Sequence, residues 1–84
     1  MNTAELEAVT AAEVIDARGA ACPGPLLEAK KGMGKVAIGD VIEVWSSDPA
    51  TKNDISAWAG KVGHGFLGVI EDEGYDRVFL RRGK

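Results

Sequence analysis

The pattern of apolar and polar residues predicts four short β-strands after residue 12. The segments 13–16, 41–46, 66–71 and 77–82 each have an alternating or compact apolar pattern bounded by turn residues. The last two are separated by an acidic turn that contains Gly74, which favours an antiparallel hairpin.

Two intervening segments have the spacing of amphipathic helices. In the first, Leu26, Ala29 and Met33 share one helical stripe. Before the second, Thr51 with Asp54 three residues later resembles a capping box. The second helix has apolar residues at i, i+3, i+4 and i+7, which are Ile55, Trp58, Ala59 and Val62.

The order strand, helix, strand, helix, strand, strand predicts an α/β fold. Because crossovers between parallel strands are right-handed, both helices should lie on one face of a four-stranded mixed sheet. The expected architecture is a two-layer sandwich, β-α-β-α-β-β. Trp45 and Phe79 are candidates for the sheet face that no helix covers, where an apolar patch would suit a partner or a weak homodimer.

The length of 84 residues allows one domain, which we place at residues 13–84. Residues 1–12 have few apolar residues that could anchor them to a core, so we expect a mobile N-terminal extension. With 45% hydrophobic and 27% charged residues the chain is typical of a globular protein rather than a disordered one.

Charge and cysteine content exclude several classes of function. A net charge of -3 gives no electrostatic footprint for direct nucleic-acid binding. One cysteine and one histidine cannot form an internal disulfide or a four-ligand zinc site, so no metal is expected. We see neither a membrane span nor a signal segment, and therefore expect a cytoplasmic protein that does not bind membranes.

The candidate chemistry lies at Cys22, in the turn between the first strand and the first helix. The first two strands are predicted to be parallel, so this turn and residues 46–51 should meet at the same sheet edge. A helix N-terminus lowers the pKa of a thiol, and the thiolate is the reactive form of cysteine. Pro23 and Pro25 should shape the turn, and Gly24 should supply the nearby first-turn N–H.

Each candidate residue also has a plain structural explanation. Free cysteine is among the most buried residue types, so Cys22 could simply fill the core, although two flanking prolines argue for a functional turn. Arg18 could screen a thiolate or guide an anionic reactant to it, or it could be a solvated turn residue. Asp48 shares the predicted edge, but a local turn or capping bond is the commoner role before a proline.

The remaining polar residues are predicted to segregate to opposite ends of the sheet. The acidic hairpin tip, 71–76, should lie near the Cys22 edge, where it could orient docking partners or merely be solvated. His64 should begin the third strand at the opposite edge, too far from Cys22 to act as its base.

The segment Cys22-Pro23-Gly24-Pro25, preceded by residues 16–19, resembles the TusA/SirA family of small sulfur carrier proteins, whose signature is CPxP. The similarity continues through residues 39–40, 47–51 and 63–64, and it extends from Glu13 to Arg82 in register with the family's strand and helix order. Only the N-terminal extension lies outside it.

This resemblance implies a cytoplasmic sulfur relay in which Cys22 carries sulfane sulfur as a persulfide or thiosulfonate. The covalent load would need no cofactor. Implied donors are cysteine desulfurases or rhodanese-like proteins, and implied acceptors serve tRNA thiolation, cofactor maturation or sulfur oxidation. The chain departs from many members at Gly24, where they have glutamate, and at Ala21, where they have a bulkier or basic residue.

Two other functions are compatible with the same residues. Cys22 could be the oxidisable residue of a thiol-based redox or regulatory module, although the absence of a second cysteine counts against this. Alternatively, the chain could be an interaction domain in which Cys22 is inert.

Overall fold

A computed structural model describes residues 3–21 and 24–84 of the chain. Their four strands form one sheet in the order β1-β2-β4-β3. The first pair is parallel and the other two pairs are antiparallel. The strands are β1 (Glu13–Asp16), β2 (Val41–Ser46), β3 (Gly65–Asp72) and β4 (Tyr75–Arg81).

Two helices, α2 (Gly24–Met33) and α3 (Thr51–Val62), cover one face of this sheet. Their fully buried residues Ala29, Ile55 and Ala59 pack on the even-numbered side chains of the two central strands, where alternation turns every second residue inward. The strand residues of this main core are Ile42, Val44, Val78 and Leu80. The predicted two-layer α/β fold is confirmed.

The predicted capping box at the start of α3 is not formed. The N-cap is Ala50, and no side chain caps the helix there. Thr51 lies inside the helix and is buried, and its hydroxyl is 2.8 Å from that of Ser46 at the end of β2. The need to satisfy two buried hydroxyls therefore outweighs the local capping pattern.

Residues 3–12 have an anchor that the sequence did not indicate, whereas their mobility stays a prediction. Thr3–Glu7 form a short helix, α1, on the sheet face opposite α2 and α3, and Leu6 is only 1% exposed. Leu6 contributes to a second cluster with Val41, Ile70 and Phe79, against which Val9 and Leu67 pack. Burial of this one leucine against the apolar second face anchors the helix.

The same arrangement corrects the prediction of an uncovered apolar patch. Phe79 is fully buried under α1 rather than exposed. Trp45 does lie on this face, but its ring is half-buried against Tyr75, with ring centroids 5.5 Å apart. No helix in the described ranges, 3–21 and 24–84, is long and apolar enough to cross a bilayer.

Candidate functional site

The carboxyl ends of β1 and β2 meet at one edge of the sheet. Asp16, the last residue of β1, is in register with Trp45 of β2, and the Ala17 N–H donates to the Trp45 carbonyl at 2.9 Å. Both following loops therefore start side by side, as the parallel pairing requires. This confirms the predicted location of the turn that leads to the CPxP motif.

Cys22 and Pro23 lie outside the described residues, but the residues on either side are defined. Ala21 is exposed, Gly24 begins α2, and Pro25 is buried. The Gly24 N–H donates to the Ala21 carbonyl at 2.8 Å, so the two flanks are tied together across the motif. That bond uses the Gly24 N–H, which we expected to be available to the sulfur.

Gly24 packs closely on the preceding loop. A Cβ atom at this position would be 3.1 Å from the Cβ of Ala20, tighter than ordinary van der Waals contact. A side chain at position 24 therefore requires the loop residues to move by a few tenths of an ångström. The absence of a side chain lets α2 start directly against the loop.

Arg18 is held in place by three neighbours. Its Nε and Nη2 donate to the two carboxylate oxygens of Asp16 at 2.8 and 2.7 Å. The guanidinium carbon lies 4.8 Å from the ring centroids of both Trp45 and Tyr75, within cation–π range. These bonds to Arg18 lower the pKa of Asp16 to about 2. Arg18 is therefore neither a free cation nor a simple solvated turn residue.

The two loops at this edge are joined directly. The Gly19 N–H donates to the Ser47 hydroxyl at 2.9 Å. Asp48 makes the local turn bond that its place before a proline predicts, because its carboxylate accepts the Ala50 N–H at 3.0 Å. Whether Asp48 also takes part in chemistry stays a prediction.

An open groove of about 360 Å³ adjoins this edge. The hairpin tip forms one wall, and Ser47 and Pro49 belong to the other. Three carboxylates and one lysine line the groove, and the lysine, Lys52, is paired with Asp76 at 3.2 Å. The tip reaches this edge because the start of β4 pairs with the end of β2, as the predicted charge segregation requires.

Tyr75 and Ser47 are parts of this site that the sequence analysis did not identify. Both act on the loop before Cys22, one through the Arg18 guanidinium and the other through the Gly19 N–H. For Tyr75 a signal existed, since an aromatic directly after the hairpin turn belongs at the same edge as the end of β2. For Ser47 the signal was its place in residues 46–51, the turn predicted to meet this edge.

The opposite edge carries the His64 side chain, as predicted. Its Nδ1 accepts the Gly83 N–H at 3.0 Å, and its ring lies 5.3 Å from that of Trp58. Burial, followed by repulsion from Arg82 and Lys84, lowers the pKa of His64. Within residues 3–21 and 24–84, no three His, Cys, Asp or Glu side chains are placed to hold a metal ion.

Comparison with known proteins gives consistent matches over the same part of the chain. Residues 13–82 match the family described as Sulfurtransferase TusA. A protein from Archaeoglobus fulgidus is 44% identical over 69 residues, which cover 82% of this chain and 94% of that protein. The sulfur carrier protein TusA of Pseudomonas entomophila is 34% identical over 68 residues, covering 81% of this chain and 85% of that one.

The fold is also similar to that of a solved structure. The crystal structure of a SirA-like protein from Desulfitobacterium hafniense superimposes with a TM-score of 0.75 at 26% identity. The alignment covers 86% of this chain and 99% of the other.

Proposed function

The chain belongs to the TusA family of sulfur carrier proteins, and on that premise we propose that Cys22 accepts a sulfane sulfur and passes it to an acceptor protein. The observation that carries the proposal is the CPxP sequence at residues 22–25, which lies within the matched region and whose last two residues begin α2. The load is a persulfide or a thiosulfonate, and no resident cofactor is needed.

The chemistry is thiol–disulfide exchange applied to a sulfur donor. The Cys22 thiolate attacks the outer sulfur of a donor persulfide, a new S–S bond forms to Cys22, and the donor leaves as a thiolate. An acceptor thiolate then attacks the same outer sulfur, and the Cys22 thiolate is the leaving group. Each step exchanges one S–S bond for another, so no external oxidant or reductant is required.

The start of α2 supports this chemistry electrostatically. A ten-residue helix brings a partial positive charge to its N-terminus, and this stabilises a thiolate relative to a thiol. Gly24 adds no carboxylate next to the sulfur, which also favours ionisation. The first turn of α2 offers few N–H donors to the sulfur. Pro25 has no N–H, and the Gly24 N–H donates to the Ala21 carbonyl.

The carboxyl edge of the sheet suits successive docking of a donor and an acceptor. Arg18 and Ser47 hold the loop before Cys22, so little conformational entropy is lost when a partner binds there. The donor we propose is a rhodanese-like protein or a cysteine desulfurase. The acceptor serves sulfur oxidation, tRNA thiolation or cofactor maturation.

The alternative is a thiol-based redox or regulatory module. It would use the same thiolate, but would convert it to a sulfenic acid or an intermolecular disulfide rather than load it with sulfur.

Reactivity distinguishes either function from an inert cysteine. We expect Cys22 in the folded chain to be alkylated faster below neutral pH than in the same chain unfolded in urea, where the helix is lost. Cys22→Ser is the labelling control, because it removes the only thiol. A folded chain that reacts more slowly than the unfolded one at every pH would indicate a buried, structural cysteine.

A further inference from the structure

The sheet face opposite α2 and α3 carries an apolar surface that α1 covers, and we call this surface the groove. Its floor consists of Val41, Ile70 and Phe79, with Leu67 packed beside them. These residues belong to three adjacent strands, and β4, which carries Phe79, is hydrogen-bonded on both sides. The shape of the floor is therefore fixed by the sheet and does not depend on α1.

A fixed cation lies beside this floor. Arg77 donates from Nε and Nη2 to the buried Glu43 carboxylate, at 2.9 and 3.4 Å, while Nη1 reaches Glu7 of α1 at 3.3 Å. The guanidinium also lies 5.5 Å from the Phe79 ring. Glu43 thus holds Arg77 by Nε and Nη2, and Nη1 remains directed at the segment that covers the groove.

The helix that covers the groove buries only one of its five residues. Of α1 itself only Leu6 is buried, and the Glu7 side chain that pairs with Arg77 is 54% exposed. A five-residue helix does not form by itself in water, because nucleation costs more than so few hydrogen bonds return. A mostly exposed ion pair adds little. We therefore expect α1 to leave and rejoin the sheet far more readily than the strands separate.

The floor of the groove lies within the part of the chain that matches the family, whereas α1 lies outside that part. Val41, Ile70, Arg77 and Phe79 all lie within the matched residues 13–82, whereas α1 precedes them. The floor of the groove therefore lies within the matched region, and α1 lies outside it.

We propose that this groove docks an amphipathic helix of a partner protein in which an apolar residue is directly followed by a carboxylate, and that α1 occupies it until such a helix displaces it. Leu6 and Glu7 display the required pattern, with Leu6 on the floor and Glu7 on Arg77. The proposal does not rest on the sulfur chemistry, because it involves neither Cys22 nor the loop that precedes it.

A peptide titration tests the proposal on the full chain. The probe is a synthetic peptide with the sequence of residues 1–12, and the receptor is isotope-labelled Leu6→Asp protein, whose own α1 is detached. We expect saturable NMR shift changes at the amides of Val41, Ile70 and Phe79. The wild-type chain should need at least about tenfold more peptide, since its tethered α1 competes at high effective concentration.

Control peptides define the recognised pattern. Peptides carrying Leu6→Asp or Glu7→Lys should produce no saturable shifts, and these changes leave the receptor unaltered. The proposal is overturned if millimolar wild-type peptide leaves the floor amides unmoved, or if the Glu7→Lys peptide binds equally well. A Leu6→Asp dimer that the peptide does not dissociate would also overturn it, by assigning the face to a second copy.

Hydrogen exchange in the unmodified chain gives a second test, which does not depend on a variant folding. The amides of Ala8 and Val9, which donate to α1 carbonyls, should exchange orders of magnitude faster than those of β4. Equal protection of both would show that α1 is a permanent part of the fold.

Discussion

Asp16 and Arg18 form the tightest polar contact at the site edge. The bidentate bond stabilises the Asp16 carboxylate and so lowers its pKa from 3.8 to about 2. Because the folded-state pKa is the lower one, this contact contributes to stability above about pH 4, and the contribution is lost as pH falls through about 2. Asp16 is well exposed, so we expect a local effect on the loop rather than a large global one.

Removing the Arg18 guanidinium should return the Asp16 pKa toward 3.8, the ordinary value. We would follow the Asp16 carboxyl carbon by NMR during an acid titration of wild type and Arg18→Met. Arg81→Met, at the opposite edge of the sheet, is the matched control and should leave the titration unchanged. A low pKa that persists in Arg18→Met would contradict the assigned cause.

Position 24 is the other residue at which the chemistry can be tuned. Gly24→Glu should raise the pKa of Cys22, because a neighbouring carboxylate disfavours the thiolate. Gly24→Gln introduces the same crowding against Ala20 without the charge, so the comparison isolates the electrostatic part. The measurement is the pH dependence of alkylation. Identical profiles for the glutamate and glutamine variants would rule out this explanation of the departure from the family pattern.

Helices α2 and α3 differ in how closely a glycine of each helix approaches a neighbouring element. Gly32 of α2 lies against β1, where a Cβ atom would collide with the Ile15 side chain, including Cγ1 at 3.2 Å. Gly60 of α3 instead faces open space. Packing therefore favours glycine at position 32. At position 60 no packing contact favours it.

These two glycines make a matched pair for a stability measurement. Gly60→Ala should increase the free energy of unfolding by about 1 kcal/mol, the difference in helix propensity. Gly32→Ala has the same propensity gain, but it should lose stability overall because overpacking costs about 1–3 kcal/mol. Urea denaturation measures both. An equal gain in the two variants would show that α2 does not depend on close approach to β1.

The Glu43–Arg77 pair connects the two central strands. The Glu43 side chain is only 8% exposed, and it also accepts the Trp45 indole N–H. Glu43→Ala should destabilise the fold by about 3 kcal/mol, since it leaves a largely buried guanidinium without its main partner. Glu28→Ala, which removes an exposed pair with Lys31, should cost less than about 1 kcal/mol. Equal losses in urea denaturation would contradict the role assigned to burial.

Elements with strong periodicity were predictable from the sequence, whereas contacts distant along the chain were not. The bounds of β1 and β2 agree with the alternation, and Ile55 and Ala59 are buried as their spacing predicts. The role of Leu6 could not be foreseen, because one leucine becomes an anchor only when Val41, Ile70 and Phe79 are brought together. The capping box failed for the same reason, since Thr51 bonds to Ser46 of a neighbouring element.

The site was predictable to a similar extent. Its edge followed from two parallel strands, and the CPxP sequence comes after the loop that leaves this edge. The clamp on Arg18 was not predicted, although the hairpin pattern placed Tyr75 at this edge, because the contact joins Arg18 to a ring far along the chain. The roles of Cys22 and Pro23 themselves stay predictions, since both lie outside the described residues.

At the scale of the whole molecule, the two ends of the sheet have different character. The Cys22 edge carries the acidic hairpin tip, and the opposite edge carries Lys30, His64, Arg82 and Lys84 around a smaller cleft. Such polarity supports the oriented docking of partners in a sulfur relay. The proposed function depends, however, on whether the chain carries sulfur on Cys22.

Intact-mass measurement tests this claim most directly. Reduced protein and a Cys22→Ser control are incubated with thiosulfate or tetrathionate, and masses are recorded before and after adding reductant. We expect the mass of the protein to increase by one sulfur atom or one thiosulfonate group. This increase should depend on Cys22 and should be removed by reductant. A disulfide dimer or sulfenic acid as the sole product would contradict it and would favour the redox module.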